Sequence, residues 1–483
     1  MAGIGFELKK LFKATGVVAI LKAYGYTGVV TAGPMLLGFV FLLAITGIAR
    51  WCGFSDAQSD LLVSMITYSL LASMLFSSTF SMVMTRYVAD LLYESKEEDV
   101  IPSLEGILCL LLPLGAMFWL GFLAFSRLDL FKAFLVFVLF IELVAAWTEM
   151  NYMSAIKDYK GILLSYAASI IVAVGVALIG VFTVGGSVEL LLLSVVIGYG
   201  MMYMLNLCLL YRFFPNSKKH HFNFLPWFDE YKELITIGLA SNIGLFSHLV
   251  IAWFSPIGSR IYGLFYNASQ HDISALFAFL TILITTINFV ASVEVNLYPK
   301  YRRYYDLFNG TGSIVEIEQA EKEMLTVLEH ELIYTARRQF YATALMISVG
   351  LAILTRLPLG FDALMEGYFR ILCVGYGAYA VGNVLTLILM YFTDYEDAKK
   401  ASVIFAVVTT AASIGSLFLD MKYYGFGFAF GAIVYLFYSI YTLSKYTRKL
   451  PYHILSKQPL LAEPRIGLGH KIYRMIMEKR SLL

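Results

Sequence analysis

Residues 133–154 read AFLVFVLFIELVAAWTEMNYMS, with Glu142 and Glu149 as the only acidic or basic side chains in the stretch. About 20 mostly apolar helical residues cross a hydrocarbon core of roughly 30 Å, so this stretch is the length and chemistry of one membrane span. The same reading, carried outward, finds further spans near 28–49, 61–84, 103–126, 161–183, 188–211, 234–256, 273–298, 340–355, 371–393, 401–419 and 424–444. Of the 36 Lys and Arg residues, 29 fall in the segments that lie on one side when these spans alternate, and 7 on the other. Basic residues concentrate on the cytoplasmic side, which places both termini in the cytoplasm. The expected fold is an all-α polytopic protein of the cytoplasmic (inner) membrane, with twelve transmembrane helices in two six-helix lobes.

Composition agrees. Hydrophobic residues make up 59% and charged residues 14%, and mean hydropathy is +0.73, far from a soluble domain. The basic residues sit in membrane-flanking loops, so the net charge of +2 carries no sign of nucleic-acid binding. Cys52, Cys109, Cys208 and Cys373 are scattered singly in or beside apolar spans, the pattern of free thiols rather than of a disulfide or metal framework. No phosphate-cradling glycine loop, His/Glu metal spacing or serine elbow is present, so no catalytic residue, metal or cofactor is expected.

The chain divides into a segment 1–22, an N-lobe 23–211, a linker 212–233, a C-lobe 234–444 with a cytoplasmic insertion 299–339, and a basic tail 445–483. Residues 1–22 place Ile4, Leu8, Leu11 and Phe12 at helical spacing, with Lys9, Lys10 and Lys13 on other faces. That fits a helix lying in the membrane interface, or a plain extension of the first span. The halves share an amphipathic opening, a basic–aromatic exit after the second span and a charged turn between the fourth and fifth. This points to a parallel repeat with a path between its halves.

Ionisable and amide groups at membrane depth are expensive, and so they mark candidate sites. Glu142 and Glu149 lie seven residues apart on one helical face, with Ala145 and Ala146 between them. Glu142 reads as the deeper of the two and Glu149 as nearer the cytoplasmic end, where it reaches water. The remaining candidates for a substrate path are Asn242, His248, Asn288, Glu294, Asn383, Tyr199, Tyr203 and Tyr376. Each has a plain alternative: the asparagines bridge helices, His248 packs, Glu294 ends a helix and the tyrosines form interfacial belts. In the insertion, Ile317, Ala320, Met324, Val327 and Leu328 form an apolar stripe, which leaves Glu318, Glu321 and Glu323 as an acidic surface for docking a partner.

Particular strings resemble a known family. Met1-Ala2-Gly3-Ile4-Gly5-Phe6-Glu7-Leu8-Lys9-Lys10-Leu11 is similar to the N-terminus of PelG proteins, the inner-membrane components of Pel exopolysaccharide export. So are Thr31-Ala32-Gly33-Pro34, Arg86-Tyr87-Val88-Ala89-Asp90-Leu91-Leu92-Tyr93-Glu94, Val293-Glu294-Val295-Asn296-Leu297-Tyr298-Pro299-Lys300-Tyr301 and Tyr391-Phe392-Thr393-Asp394-Tyr395. The resemblance implies the fold of the MOP flippase superfamily and export of a growing, GalNAc-rich, partly deacetylated polysaccharide for biofilm matrix. It also implies partners: a cytoplasmic glycosyltransferase and other membrane proteins of the Pel system, including a cyclic-di-GMP receptor. The competing readings are a lipid-linked oligosaccharide flippase of the same fold and a membrane glycosyltransferase or polymerase. The short outer loops leave an enzyme of that kind little room, the longest expected being about 356–370.

Overall fold

Long apolar runs without capping breaks dictate helices, and a computed structural model of the chain is built almost wholly from them. It describes residues 18, 38–153, 156, 159–215, 221–356, 360–456 and 466–481. The interfacial segment expected at 1–22, apart from residue 18, and residues 28–37 of the first span lie outside the described residues. Ten described helices are long and apolar enough to cross a membrane. Those used below are α1 (Gly38–Trp51, shorter than the ten), α2 (Asp56–Tyr93), α3 (Val100–Ser126), α4 (Leu130–Met153), α5 (Tyr159–Val184) and α6 (Val188–Phe213). A short α7 (Leu225–Glu230) leads into α8 (Lys232–Trp253).

The chain forms two compact units. The first comprises the described residues of 33–242, 258–267 and 463–483, and the second those of 1–32, 243–257 and 268–462. The boundary therefore falls at Asn242/Ile243 inside α8, whereas the sequence reading drew it through the linker 212–233.

In the first unit α4 is central and packs on α2, α3 and α6. Water drives no association between helices in lipid, so close approach and hydrogen bonds hold them together. Trp119 stacks on Phe140 with ring centroids 4.6 Å apart, and Trp147 donates to Ser73 Oγ at 3.0 Å. A hairpin of β1 (Ser259–Tyr262) and β2 (Phe265–Asn267) also belongs to this unit. Its connection, 254–268, is longer than the one beginning at Arg356, because the next spanning helix already starts at Ala363. Gly263 makes the turn possible: its φ is +56°, and a β-carbon there would come 1.7 Å from the Ser126 carbonyl oxygen. Phe265 is completely buried, 5.1 Å from the Tyr68 ring and 5.6 Å from that of Phe122.

The tail returns to the same unit. Asp229 on α7 accepts the backbone N–H groups of Gly467, Gly469 and His470 at 3.1, 3.1 and 2.8 Å, and His470 Nδ1 at 3.0 Å. This carboxylate caps the N-terminus of the helix Leu468–Ser481. Ile472, Tyr473 and Ile476 then pack on the unit's core.

In the second unit a helix runs from Ser269 through a π-helical stretch, Val290–Leu297, into Tyr298–Asn309. Its antiparallel partner runs from Ile314–Leu345 through a second π turn to Leu354. Each is about 40 residues, hence roughly 60 Å long, about twice the hydrocarbon thickness. The acidic helix expected as a separate cytoplasmic piece is thus continuous with the span at 340–355. A ladder of polar contacts joins the two. Gln339 accepts from Thr285 Oγ1 at 2.6 Å and donates to the Thr281 carbonyl at 3.1 Å. Asn288 donates to Thr335 at 2.7 Å and accepts from Arg338 at 2.9 Å. Further along, Asn296 donates to Glu331 at 2.8 Å, and Lys300 and Arg303 reach Glu323 at 2.8 and 3.2 Å. Ala363–Tyr391, Tyr395–Ser416 and Phe426–Thr447 complete the unit. A β-carbon on Gly427 would lie 2.5 Å from the Ser413 backbone nitrogen, so glycine sets that helix spacing.

Burial alone would raise the Asp229 carboxyl, but the hydrogen bonds from His470, Gly469 and Gly467 outweigh it and hold the group below the usual aspartate range. Its contribution to tail docking is therefore complete above the ordinary aspartate pKa and is lost only as pH falls through the lowered value. Replacing Asp229 with Asn should raise hydrogen–deuterium exchange of residues 468–476 by about ten- to a hundred-fold at neutral pH, the loss expected for hydrogen bonds to a charged group. Exchange in α4 should not change.

Candidate functional site

Along α4 the heptad spacing of Glu142 and Glu149 carries both to a seam against α5 and α6. Glu149 is completely buried, and neither carboxylate oxygen has a hydrogen-bond partner. This corrects the expectation that it reaches water near a helix end: Tyr152, Met153 and Ile156, all buried, follow it in the chain. Glu142 is half-buried, its Oε2 has no partner, and its Oε1 would lie 2.7 Å from a β-carbon at Gly200. Glycine at 200 is what admits this carboxylate against α6.

Around the acids stand phenols and an amide. Ala146, Tyr166 and Met202 form a buried patch with Ile162 and Tyr199 against it. Tyr166, Tyr203 and Cys208 lie within electrostatic reach of Glu149. Ser165 donates to Asn206 Oδ1 at 2.6 Å, and the amide of Asn206, completely buried, faces the Tyr166 phenol. Asn206 and Tyr166 were not picked out from the sequence. The signal was present for Asn206, which follows Tyr199 by seven residues and Tyr203 by three, on one helical face.

The structure brings Glu142, Glu149, Tyr199 and Tyr203 together in the first unit. In the second it joins His248 to Tyr376, with His248 Nε2 3.3 Å from the Tyr376 hydroxyl. Asn288 is a rung of the polar ladder. Asn242 donates to the Gly238 carbonyl of its own helix at 3.0 Å. Asn383 is half-buried on Ala363–Tyr391. The side chain of Glu294 lies outside the described residues. Glu318 is exposed and Glu321 half-buried, whereas Glu323 turns back to Lys300 and Arg303 on its own hairpin. No group of three or more His, Cys, Asp or Glu with metal-binding geometry occurs among the described residues.

Buried carboxylates, phenols and amides on three adjacent spans suit a polyhydroxylated ligand. Carboxylate oxygens accept from hydroxyls, the Asn206 Nδ2 donates, and ring faces cover the apolar side of a sugar. Comparison with known proteins supplies the class. A model of the family described as "PelG: Putative exopolysaccharide Exporter (EPS-E)" matches residues 1–455. The chain belongs to the PelG family. No curated protein sequence matches it.

Among solved structures, a MOP superfamily transporter from Pyrococcus furiosus is similar with a TM-score of 0.59 and 11% identity, over 88% of this chain and 96% of that one. An inward-facing multidrug resistance MATE family transporter gives 0.58 and 12%, over 88% and 99%. An outward-facing one gives 0.55 and 13%, over 89% and 96%. These likenesses establish the MOP transporter fold. This PelG-family chain is a multi-pass membrane protein and a polysaccharide exporter, and family and fold alike indicate transport.

Glu149 is the acid of this pair with no exposed surface and no hydrogen-bond partner, whereas the sequence reading put Glu142 deepest. Glu149→Gln keeps shape and removes charge, and should lower polymer secretion several-fold at unchanged protein abundance. Glu142→Gln should do so to an equal or smaller extent. Immunoblotting of membranes beside quantified secreted polymer checks both.

Proposed function

We propose that this protein moves a growing, GalNAc-rich Pel-type polymer across the cytoplasmic membrane, with both termini in the cytoplasm, and that it performs no catalysis itself. The observation that carries this reading is the buried acid–phenol–amide cluster of Glu142, Glu149, Tyr166, Tyr203 and Asn206 within spanning helices. A group of this cost is retained at membrane depth where it serves transport. If the polymer carries free amines when it crosses, the carboxylates attract it; if it is neutral, they accept its hydroxyls. Deleting the chain should abolish secretion of polymer recognised by a GalNAc-binding lectin while polymer synthesis continues in the cell. Secretion that persists would overturn the reading.

A cytoplasmic glycosyltransferase feeds this path by docking on the outer face of the hairpin arm Ile314–Leu345, beside the system's other membrane proteins and the cyclic-di-GMP receptor. Support comes from the arm's length beyond the hydrocarbon and from the exposed carboxylate of Glu318 beside Glu321. Burial, and then the charge of Glu318, raise the Glu321 carboxyl above the usual range, so its negative charge fades at a higher pH than an ordinary glutamate's. The Lys300 hydrogen bond holds the Glu323 carboxyl below that range, which keeps the intramolecular clamp charged. Glu318→Lys with Glu321→Lys should reduce co-purification of the glycosyltransferase without lowering membrane abundance. Glu323→Lys should instead loosen the arm and increase its proteolysis. A topology reporter inserted near residue 320 should read cytoplasmic; an outside reading would reverse the assigned orientation.

A further inference from the structure

The terminal helix Leu468–Ser481 has a second surface, turned away from the unit that holds it. Its seat is narrow. A β-carbon at Gly467 would strike the Asp229 carboxylate, and one at Gly469 the Leu225 carbonyl oxygen, so glycines at both positions let the helix close onto α7. At 3.6 residues per turn, Ile472, Tyr473 and Ile476 share the face that packs on the core. Leu468, Lys471, Arg474 and Met475 fall on the other side, and all four are exposed, Leu468 at 73% and Met475 at 59%. Ile466, just ahead of the helix, is exposed as well.

This surface lies beside the ends of spanning helices. Asp229, which caps the helix, stands just before Lys232, the first residue of α8. Trp227, also on α7, donates to Asp90 Oδ2 at 3.0 Å, and Asp90 is in the last turn of α2. Tyr473 is within electrostatic reach of Tyr87, about one turn further in. The helix sequence holds Lys471, Arg474, Lys479 and Arg480 against a single acid, Glu478. Exposed apolar side chains flanked by Lys and Arg, on a helix at the rim of a bilayer, are the pattern of an interfacial helix. Hydrocarbon receives the apolar groups and lipid phosphates the cations. A docked protein could cover Leu468 and Met475 too, but it would have to bring an acidic surface to the rim, where anionic lipid already supplies one.

We propose that the outward face of Leu468–Ser481 rests on an anionic lipid surface, with Leu468 and Met475 in the acyl boundary and Lys471 and Arg474 on lipid phosphates. The inference does not depend on what the protein exports or on which side its termini lie. The extension is then held from two sides, by the Asp229 cap within the protein and by lipid beyond it. Both attachments favour the same docked helix, so each strengthens the other, and docking of the tail follows the charge of the bilayer.

The test uses the full chain with Cys52, Cys109, Cys208 and Cys373 replaced by Ala and a bimane fluorophore on Met475→Cys. The protein is placed in lipid nanodiscs of phosphatidylcholine alone, or of phosphatidylcholine and phosphatidylglycerol in equal parts. In the mixed discs, lipid carrying a nitroxide high on its acyl chain should quench the fluorophore. Aqueous acrylamide should quench it several-fold less there than in the neutral discs. Raising salt to about 0.5 M should weaken the lipid quenching, because screening shortens the reach of the phosphates. Lys471→Glu with Arg474→Glu, both at exposed positions, should return the mixed discs to the neutral-disc values while the protein elutes from a sizing column as the parent does. Equal acrylamide access in the two lipid mixtures overturns the proposal, and so does lipid quenching that survives the double charge reversal. Shielding that tracks the number of protein molecules per disc instead of lipid charge would assign the face to a second copy and overturn it too.

Discussion

Hydrocarbon offers no hydrogen bonds, so each polar group carried into it must find its partner within the protein. The ladder between Ser269–Asn309 and Ile314–Leu354 satisfies that constraint for its amides from Asn288 to Gln339. Thr285 meets Gln339, Asn288 meets Thr335 and Arg338, and the series continues into water as the Glu323 ion pairs. Interhelical contacts of this kind are each worth about 1 kcal/mol in a membrane, but their spacing fixes the register of two helices over several turns. The arm outside the membrane takes its direction from that register. Against this background Glu149 stands apart, since its oxygens have no such partner. Other buried polar atoms in both units also lack partners, among them the Ser64, Thr409 and Ser413 hydroxyls, but among the described buried carboxylates Glu149 is the one with neither oxygen partnered.

Hydropathy made the spans legible, because an apolar run of the right length has one outcome in a bilayer. The shared face of Glu142 and Glu149 was legible too, since seven residues make nearly two full turns. What covers that face was not. Periodicity says which way Glu149 points along its helix, but its burial depends on where α5 and α6 pack, and small residues spread through both halves set that. The hairpin at 259–267 escaped notice for a related reason: its strands are four and three residues long, and its stability comes from Phe265 entering a pocket of distant rings. The run 340–355 looked like a short isolated span because Gln339, Arg338 and Thr335 read as polar surface. They are interior contacts, pairing with Thr285 and Asn288.

Family membership and site geometry contribute different things. The family match gives polysaccharide export to a chain whose solved neighbours share only 11 to 13% of its residues. The geometry then distinguishes roles among residues of one type. Glu323 is a structural acid held by two cations, Glu318 is exposed, Asp229 is a helix cap, and Glu149 is buried without a partner. A carboxylate's meaning here follows from its partners, and its place in the sequence only narrows the choices.

The Asp229 cap ties a segment beyond the family match to a residue inside it. The family match ends at residue 455, and every donor that meets Asp229 lies beyond it, at 467–470. A chain that stopped at the family boundary would keep this carboxylate at the membrane's edge with none of those donors. It would also uncover the core surface on which Ile472, Tyr473 and Ile476 now rest. Asp229 and the extension are therefore interdependent, and a residue other than aspartate is to be expected at this position in relatives that lack the terminal helix.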